Sequence, residues 1–192
     1  MIAGIVLAAG ASTRMGRPKQ LLPVGHETLL AAALRPLLES SLDEVIVVLG
    51  AHAEEIRSGA GLTSDPRLRL VTNEAWSEGM ASSLRLGIAG CGRAQGALVA
   101  LGDQPGIQSA LVERLIAELR AGAPLVVPVH EGRVEHPVAF SRELFSELLL
   151  LSGDVGGRDI VRKYWPRAVK LESPALPDVD TEADYRALTK SL

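Results

Sequence analysis

The sequence has very little cysteine and no long apolar run. Cys91 is the single cysteine in 192 residues, so no disulfide can form within the chain, and a cytoplasmic location is expected. No apolar stretch approaches the roughly 20 residues that a membrane-spanning helix needs. The N-terminus enters a strand-like run directly, without a charged segment and cleavage site. A membrane segment is therefore not expected.

The charges show no excess of one sign. Twenty basic and 23 acidic residues are interspersed and leave a net charge of −3, which argues against nucleic acid as a partner. The hydrophobic fraction of 47% is enough for a sizeable core. We expect one domain over residues 1–192.

Several familiar site motifs are missing as well. Gly10 and Gly16 fit neither the spacing of a P-loop nor that of a dinucleotide-binding loop. The four histidines include no His-Glu-x-x-His pair, so a zinc site has no support. No Ser-His-Asp or Cys-His set is evident, so covalent catalysis is not indicated.

Hydrophobic patterning predicts an α/β fold. The near-continuous apolar run Ile2–Leu7 is typical of a central strand covered on both faces of a parallel sheet. Later strand-like runs alternate with helical patterns, which favours three layers with helices on both faces. Gly132 lies between two short strands, 125–129 and 138–140, and predicts one antiparallel hairpin in a mostly parallel sheet.

A loop of small residues follows the first strand. Ala8, Ala9, Gly10 and Ser12 carry little side-chain bulk, so their backbone N–H groups can curl around an anion. Arg14 and Lys19 add positive charge for a polyphosphate. The alternative is an ordinary turn with two solvated cations.

Two aspartates are candidate metal ligands. Asp103 follows the buried run 97–101, and ligands bind at the carboxyl edge of open α/β sheets, where a carboxylate can hold a hard cation. Asp103 could instead cap a helix or form a turn. Asp180 follows the last strand-like run and precedes a capping box of Thr181 and Asp184, so a purely structural role stays open for it.

Two further segments are candidates for binding an anion. Residues 73–84 lead into a helix whose N-terminus offers free N–H groups, although Ser77 could simply cap it, with Trp76 as a core anchor. Gly156 and Gly157 precede another helix and Arg158.

The stretch Leu7–Gln20 resembles the signature Leu-Ala-x-Gly-x-x-x-Arg-Met-Gly-x-x-Lys of the molybdenum-cofactor nucleotidyltransferases. Three later motifs resemble the same family in the same order: Asn73 to Ser83, Gly-Asp-Gln-Pro at Asp103, and His136-Pro137. The alanine at position 9 is similar to the cytidylyltransferase branch of this family, because the guanylyl branch has glycine at that position. The resemblance spans Ile2 to Tyr185 and implies a Rossmann-like nucleotidyltransferase domain.

The resemblance also implies roles for individual residues. It implies Mg²⁺ on Asp103 and Asp180, with Arg14, Lys19 and Asp103 as the catalytic set. It implies nucleotide contacts from Leu7, Ala8, Ala9, Gly10, Ser12, Arg14, Lys19, Asn73, Gly79 and Asp103. The expected acceptor contacts come from Ser82, Ser83, His136, Gly156, Gly157 and Arg158.

The implied reaction transfers CMP from CTP to the terminal phosphate of a molybdopterin-type cofactor, with a recipient molybdoenzyme as a further partner. Guanylyl or sugar-phosphate nucleotidyl transfer stays open, since those relatives share the first loop. A cofactor-binding chaperone without turnover, or an oxidoreductase relative, also stays open.

Overall fold

The structure is a computed structural model, which describes residues 1–190, and its centre is an eight-stranded sheet. The strands of this sheet are β1 (Ile2–Ala8), β4 (Glu44–Leu49), β5 (Leu68–Thr72), β6 (Gly96–Leu101), β7 (Leu125–His130), β8 (Arg133–Val134), β9 (Val138–Ser141) and β10 (Val169–Glu172). A small separate hairpin consists of β2 (Pro23–Val24) and β3 (Glu27–Thr28). The helices are α1 (Leu29–Leu38), α2 (Ala53–Gly59), α3 (Met80–Gly90), α4 (Ser109–Arg120), α5 (Phe145–Leu148), α6 (Arg158–Tyr164) and α7 (Glu182–Lys190).

The strand order is β10-β7-β9-β6-β1-β4-β5, with β8 paired to β7. β1 is central and pairs in parallel with β4 on one side and with β6 on the other. β9 runs antiparallel to both β6 and β7, and β8 runs antiparallel to β7. The expected α/β class is confirmed, with a mostly parallel sheet and an antiparallel element where the sequence predicted one.

Two apolar layers cover the sheet. Ile2 and Val6 of β1 face α1, α2 and α4, whereas Ala3 and Ile5 face α3, α5 and α6. This alternation follows from the two-residue period of a strand, and it explains why β1 reads as a continuous apolar run. A smaller cluster joins α7 to α1 and to the β2–β3 hairpin through Val179 and Leu188.

None of the helices within residues 1–190 is long and apolar enough to cross a membrane.

Gly87 in α3 lies close against the central strand β1. A Cβ atom at this position would lie 2.6 Å from the Cγ2 atom of Ile5, which no real contact tolerates without a shift. We therefore expect Gly87→Ala to lower the free energy of unfolding by about 1 to 3 kcal/mol through overpacking.

Gly59 at the end of α2 is the matched control for this prediction. A Cβ atom there would lie 3.4 Å from Leu21, an ordinary contact, so Gly59→Ala should be neutral or stabilise by up to about 1 kcal/mol. Urea unfolding of both variants measures the difference. Equal stabilities would contradict close packing at Gly87.

Candidate active site

The candidate site lies at the carboxyl edge of the central strands. The loop after β1, the turn after β6 and the segment before α7 meet there around a cavity of about 670 Å³. Parallel strands bring their carboxyl ends to one edge, so three segments that are distant in sequence share one cavity. Residues from all three line it: Ala9 and Lys19, Asp103, and Asp178 and Asp180.

Side-chain hydrogen bonds hold the small-residue loop in shape. Gln20 is buried, and its Nε2 donates to the carbonyl of Ala8 at 3.0 Å and to that of Gly10 at 3.4 Å. The backbone N–H of Lys19 donates to Ser12 Oγ at 3.2 Å. The Ser12 hydroxyl is thus engaged within the loop, and Ser12 lies outside the cavity lining.

Four charged side chains form one cluster at the cavity. Lys19 Nζ lies 2.5 Å from Asp103 Oδ2 and 2.9 Å from Asp180 Oδ1, so a single ammonium bridges both carboxylates. The other oxygen of Asp180, Oδ2, lies 2.9 Å from Arg14. The side chain of Lys19 is 13% exposed and that of Arg14 is 65% exposed, so Lys19 is the inner cation and Arg14 the outer one.

Electrostatics in this cluster favour the charged forms of Lys19 and Asp180. Burial by itself would lower the pKa of Lys19, but the attraction of Asp103 and the hydrogen bonds to both carboxylates outweigh it and raise the pKa. The hydrogen bond from Lys19 is the main cause that lowers the pKa of Asp180, against its partial burial. The cluster is therefore a set of charges that neutralise one another at neutral pH.

A third carboxylate lies beside this cluster. Asp178 lines the same cavity, and its Oδ1 accepts a hydrogen bond of 2.5 Å from the buried Gln104. Burial is the main cause that raises the pKa of Asp178, and the charges of Asp103 and Asp180 add to it. Asp178 was not predicted from the sequence as a site residue, although its position two residues before Asp180 indicated it.

One wall of the cavity depends on a glycine. Gly50 follows β4, and a Cβ atom there would lie 2.6 Å from Trp76 Cβ and 2.8 Å from Ala9 Cβ. Ala9 and Trp76 can therefore converge only because residue 50 has no side chain. Trp76 is 38% exposed and lines the cavity, so it is no core anchor.

Asn73, Ser82 and Ser83 form a buried hydrogen-bond network. Asn73 Nδ2 donates to Ser82 Oγ at 2.8 Å and to Ser83 Oγ at 2.9 Å. Ser82 Oγ donates in turn to the carbonyl oxygens of Ala75 and Gly79. Asn73 and Ser82 lie outside the cavity lining, whereas Gly79 and Ser83 belong to it. The network thus shapes the turn that presents Gly79.

A second cavity, of about 1020 Å³, adjoins the first. Met80, Leu101 and Asp154 line both cavities, so the two form one cleft. The second cavity contains the predicted acceptor residues His136, Gly156, Gly157 and Arg158, and also Arg133, Arg162 and Trp165, which sequence reasoning missed. Arg133 and Arg158 form no ion pair among residues 1–190, so two free guanidinium groups border an apolar floor.

His136 in this second cavity is uncharged at neutral pH. Burial is the main cause that lowers its pKa from 6.5 to about 4. The charge of Asp103 raises the pKa and that of Arg158 lowers it, but both effects are smaller than that of burial. A neutral imidazole can orient a ligand without adding charge.

The oxygen ligands for a divalent cation come from the charged cluster. Asp103 Oδ1 is buried and has no hydrogen-bond partner in the part of the chain that the structure describes, and Asp103 and Asp180 share the Lys19 ammonium. A buried, unsatisfied carboxylate oxygen beside a second carboxylate fits Mg²⁺, which takes one or two carboxylates together with water and substrate phosphates. Within residues 1–190, no group of three or more His, Cys, Asp or Glu side chains is arranged to hold a metal by itself.

The fold and the site define an α/β protein whose cleft opens at the carboxyl edge of its sheet, as in nucleotide-binding folds. The chain belongs to the MobA-like NTP transferase domain family, which matches residues 4–169. The resemblance seen in the sequence is thereby confirmed at the level of the family.

Three known proteins illustrate the range of similar chains. The chain is 37% identical to nicotine blue oxidoreductase of Paenarthrobacter nicotinovorans, over 97% of this chain and 96% of that protein. It is 22% identical to molybdenum cofactor cytidylyltransferase of Escherichia coli, over 94% and 92%. Among solved structures, Rv0371c of Mycobacterium tuberculosis in complex with manganese is 33% identical, with a TM-score of 0.79, over 100% of this chain and 99% of that one.

The low pKa of His136 predicts a pH effect on stability. Between pH 6.5 and about 4 the unfolded chain binds a proton at His136 that the folded chain does not bind. A fall in pH through this range should therefore lower the free energy of unfolding. His136→Gln should remove the part of that decrease that comes from His136. Urea unfolding of both proteins at pH 7, 5.5 and 4.5 measures it. Identical pH dependence in the two proteins would contradict a neutral, partly buried His136.

Proposed function

We propose that the protein transfers CMP from CTP to the terminal phosphate of a molybdopterin-type cofactor and releases pyrophosphate. The observation that carries the proposal is the bridging of Asp103 and Asp180 by Lys19 at the mouth of a small-residue loop. Such a cluster supplies both a cation site and a charge for phosphates, which is what nucleotidyl transfer needs. Membership in the MobA-like NTP transferase family supports it.

The first cavity suits the triphosphate. The backbone of Ala8 to Ala11 lines it with little side-chain bulk, and Gln20 fixes the loop so that its N–H groups can surround an anion. Arg14 and Lys19 then offer charge-assisted hydrogen bonds to phosphate oxygens. Leu7 and Gly79 complete the nucleotide contacts that we propose, with Asn73 and Ser12 acting through the shape of their turns.

Asp103 and Asp180 would hold Mg²⁺, and the manganese complex of Rv0371c supports the use of a divalent cation. When bound, the ion supplies charge neutralisation between the attacking phosphate and the triphosphate. Asp178 and Gln104, joined by a hydrogen bond, brace the segment before α7 that carries Asp180.

The second cavity suits the acceptor. Arg133 and Arg158 have no carboxylate partner within residues 1–190 and can take anionic groups, while Val99, Val138 and Phe140 offer an apolar floor. A terminal phosphate oxygen of the acceptor forms a new bond to the α-phosphorus of CTP, and the bond from that phosphorus to pyrophosphate breaks. The phosphate is already ionised at neutral pH, so no general base is required, in keeping with the weak basicity that a pKa of about 4 gives His136. The product would then pass to a recipient molybdoenzyme.

An oxidoreductase activity is the second candidate. The specific observation that favours it is the 37% identity with nicotine blue oxidoreductase over nearly the full length of both chains. Against an oxidoreductase activity, the loop after β1 lacks the Gly-x-Gly-x-x-Gly spacing that is typical of dinucleotide-binding loops. Oxidation of NADH or NADPH in the presence of a quinone-type dye, with no pyrophosphate formed from any NTP, would favour this activity.

Pyrophosphate release tests the proposed reaction. With molybdopterin cofactor and Mg²⁺, the wild type should release pyrophosphate from CTP faster than from GTP, ATP or UTP. Tight cofactor binding without release would indicate a chaperone, and a preference for GTP would indicate a guanylyltransferase. Asp103→Asn should keep the fold and lower kcat by about 100-fold or more, because a charge that screens the phosphates is lost.

The matched control is Asp184→Asn in the cap of α7. Asp184 Oδ2 accepts from the backbone N–H groups of Thr181 at 2.7 Å and of Asp180 at 3.2 Å, and Asp184 does not line the cavity. An asparagine oxygen at residue 184 can still accept these bonds, so Asp180 should keep its place. This variant should lower the melting temperature and leave turnover close to wild type. Near-normal turnover in a folded Asp103→Asn protein would remove Asp103 from the proposed site.

Ala9 is the proposed determinant of base selection. Its methyl group stands against Gly50 and Trp76 in the wall of the first cavity, where it would narrow the space left for a purine. We expect Ala9→Gly to reduce the preference in kcat/KM for CTP over GTP by an amount equivalent to about 1 to 3 kcal/mol.

Ala11→Gly controls for added flexibility, since it makes the same change two residues further along the same cavity-lining loop. It should lower both kcat/KM values alike and leave their ratio unchanged. A CTP/GTP ratio that Ala9→Gly does not move would exclude the methyl group as the cause of selection.

A further inference from the structure

The ammonium of Lys19 lies between the two carboxylates that we propose as ligands of the divalent cation, and it is also a proposed ligand of the triphosphate. Lys19 Nζ contacts Asp103 Oδ2 at 2.5 Å and Asp180 Oδ1 at 2.9 Å, so it occupies the point between the two carboxylates. A divalent cation held by both carboxylates would need the same point. The two cations cannot share it, because like charges in close contact repel strongly away from bulk water.

The position of Lys19 in the chain limits how it can leave. Its backbone N–H donates to Ser12 Oγ, and Lys19 begins a short 3₁₀ turn whose next residue, Gln20, is buried. The backbone is thus tied to the loop, and a change of partner has to come from the side chain. The cavity lined by both Lys19 and the small-residue loop gives the ammonium room to turn toward phosphate oxygens.

Each ligand alone would leave an unpaired charge. A cation that displaces Lys19 would leave a largely desolvated ammonium without a partner, and a triphosphate that attracts Lys19 would leave Asp103 and Asp180 facing each other. Removing one partner of a buried ion pair is costly because the other charge stays desolvated. When both ligands bind, the cation takes the carboxylates and Lys19 takes the phosphates, so neither penalty remains.

We propose that Lys19 is an internal counter-ion that couples the binding of the divalent cation to the binding of the triphosphate. The inference rests on the proposed function, because it takes Asp103 and Asp180 as the cation ligands and CTP as the nucleotide. Coupling of this kind is reciprocal: each ligand raises the affinity for the other by the same factor. The exchange thereby favours joint occupancy of the site over either partial complex.

Arg14 provides the matched comparison. It also pairs with Asp180, at 2.9 Å, but through Oδ2 only, and its side chain is 65% exposed. Removing its charge changes the electrostatic potential near the carboxylates without clearing the point between them. A difference between Lys19→Gln and Arg14→Gln therefore reports occupancy of that point and not net charge.

The test is a Mn²⁺ titration of the wild type, Lys19→Gln and Arg14→Gln, without nucleotide, with free Mn²⁺ followed by electron paramagnetic resonance. Lys19→Gln should bind Mn²⁺ at least about tenfold tighter than the wild type, as expected for release of a coupled site. Arg14→Gln should change the affinity by less than about threefold, as for an exposed ion pair. Equal affinities of the wild type and Lys19→Gln would overturn the proposal, as would an equal gain in the two variants.

A second measurement serves if Lys19→Gln is less stable than the wild type. The rise in the free energy of unfolding that the same high concentration of Mn²⁺ produces, measured by urea unfolding, should be larger for Lys19→Gln than for the wild type. An equal or smaller rise would overturn the coupling. Neither readout needs turnover, so the two ideas fail separately: absence of pyrophosphate release from CTP counts against the proposed function, whereas unchanged Mn²⁺ binding counts against the Lys19 exchange.

Discussion

The burial of β1 on both faces is the constraint on which the rest of the structure depends. β1 pairs in parallel with β4 and β6, and its side chains alternate between two helical layers. A strand enclosed in this way can meet solvent only at its ends, so polar chemistry has to begin where the strand stops. The loop after Ala8, the Gly50 position after β4 and Asp103 after β6 are consequently neighbours.

The charged cluster converts this arrangement into a site. Lys19 is 84 residues from Asp103 and 161 residues from Asp180 in the sequence. Each of the three comes from a different segment at the same edge of the sheet. Arg14 adds a second positive charge, so the cluster has two cations and two carboxylates, and partly buried charges whose isolation would be costly can coexist. A ligand of the carboxylates or of the ammonium would have to compete with these internal partners, and the proposed Lys19 exchange rests on that competition.

Local signals predicted the fold and several details of the site. Thr28 caps α1 through a hydrogen bond from the Ala31 N–H, and Thr181 and Asp184 form the predicted capping box of α7. Such features depend on residues three or four positions apart, so the sequence contains them in full. The cavity-lining positions of Arg14 and Lys19 likewise follow from a loop placed directly after a buried strand.

The sequence by itself thus determined the order of the main strands and helices, the small-residue loop after β1 and the candidate aspartates, because periodicity and local chemistry encode them. Only the tertiary structure decided how the charges pair, that Trp76 lines a cavity and is not a core anchor, and that Asn73 and Ser82 serve a turn. It also brought Arg133 and Arg162 into the second cavity and Asp178 into the first. The physical reason is that these placements depend on which strands are neighbours in the sheet, and β9 between β6 and β7 is a contact that no local pattern specifies.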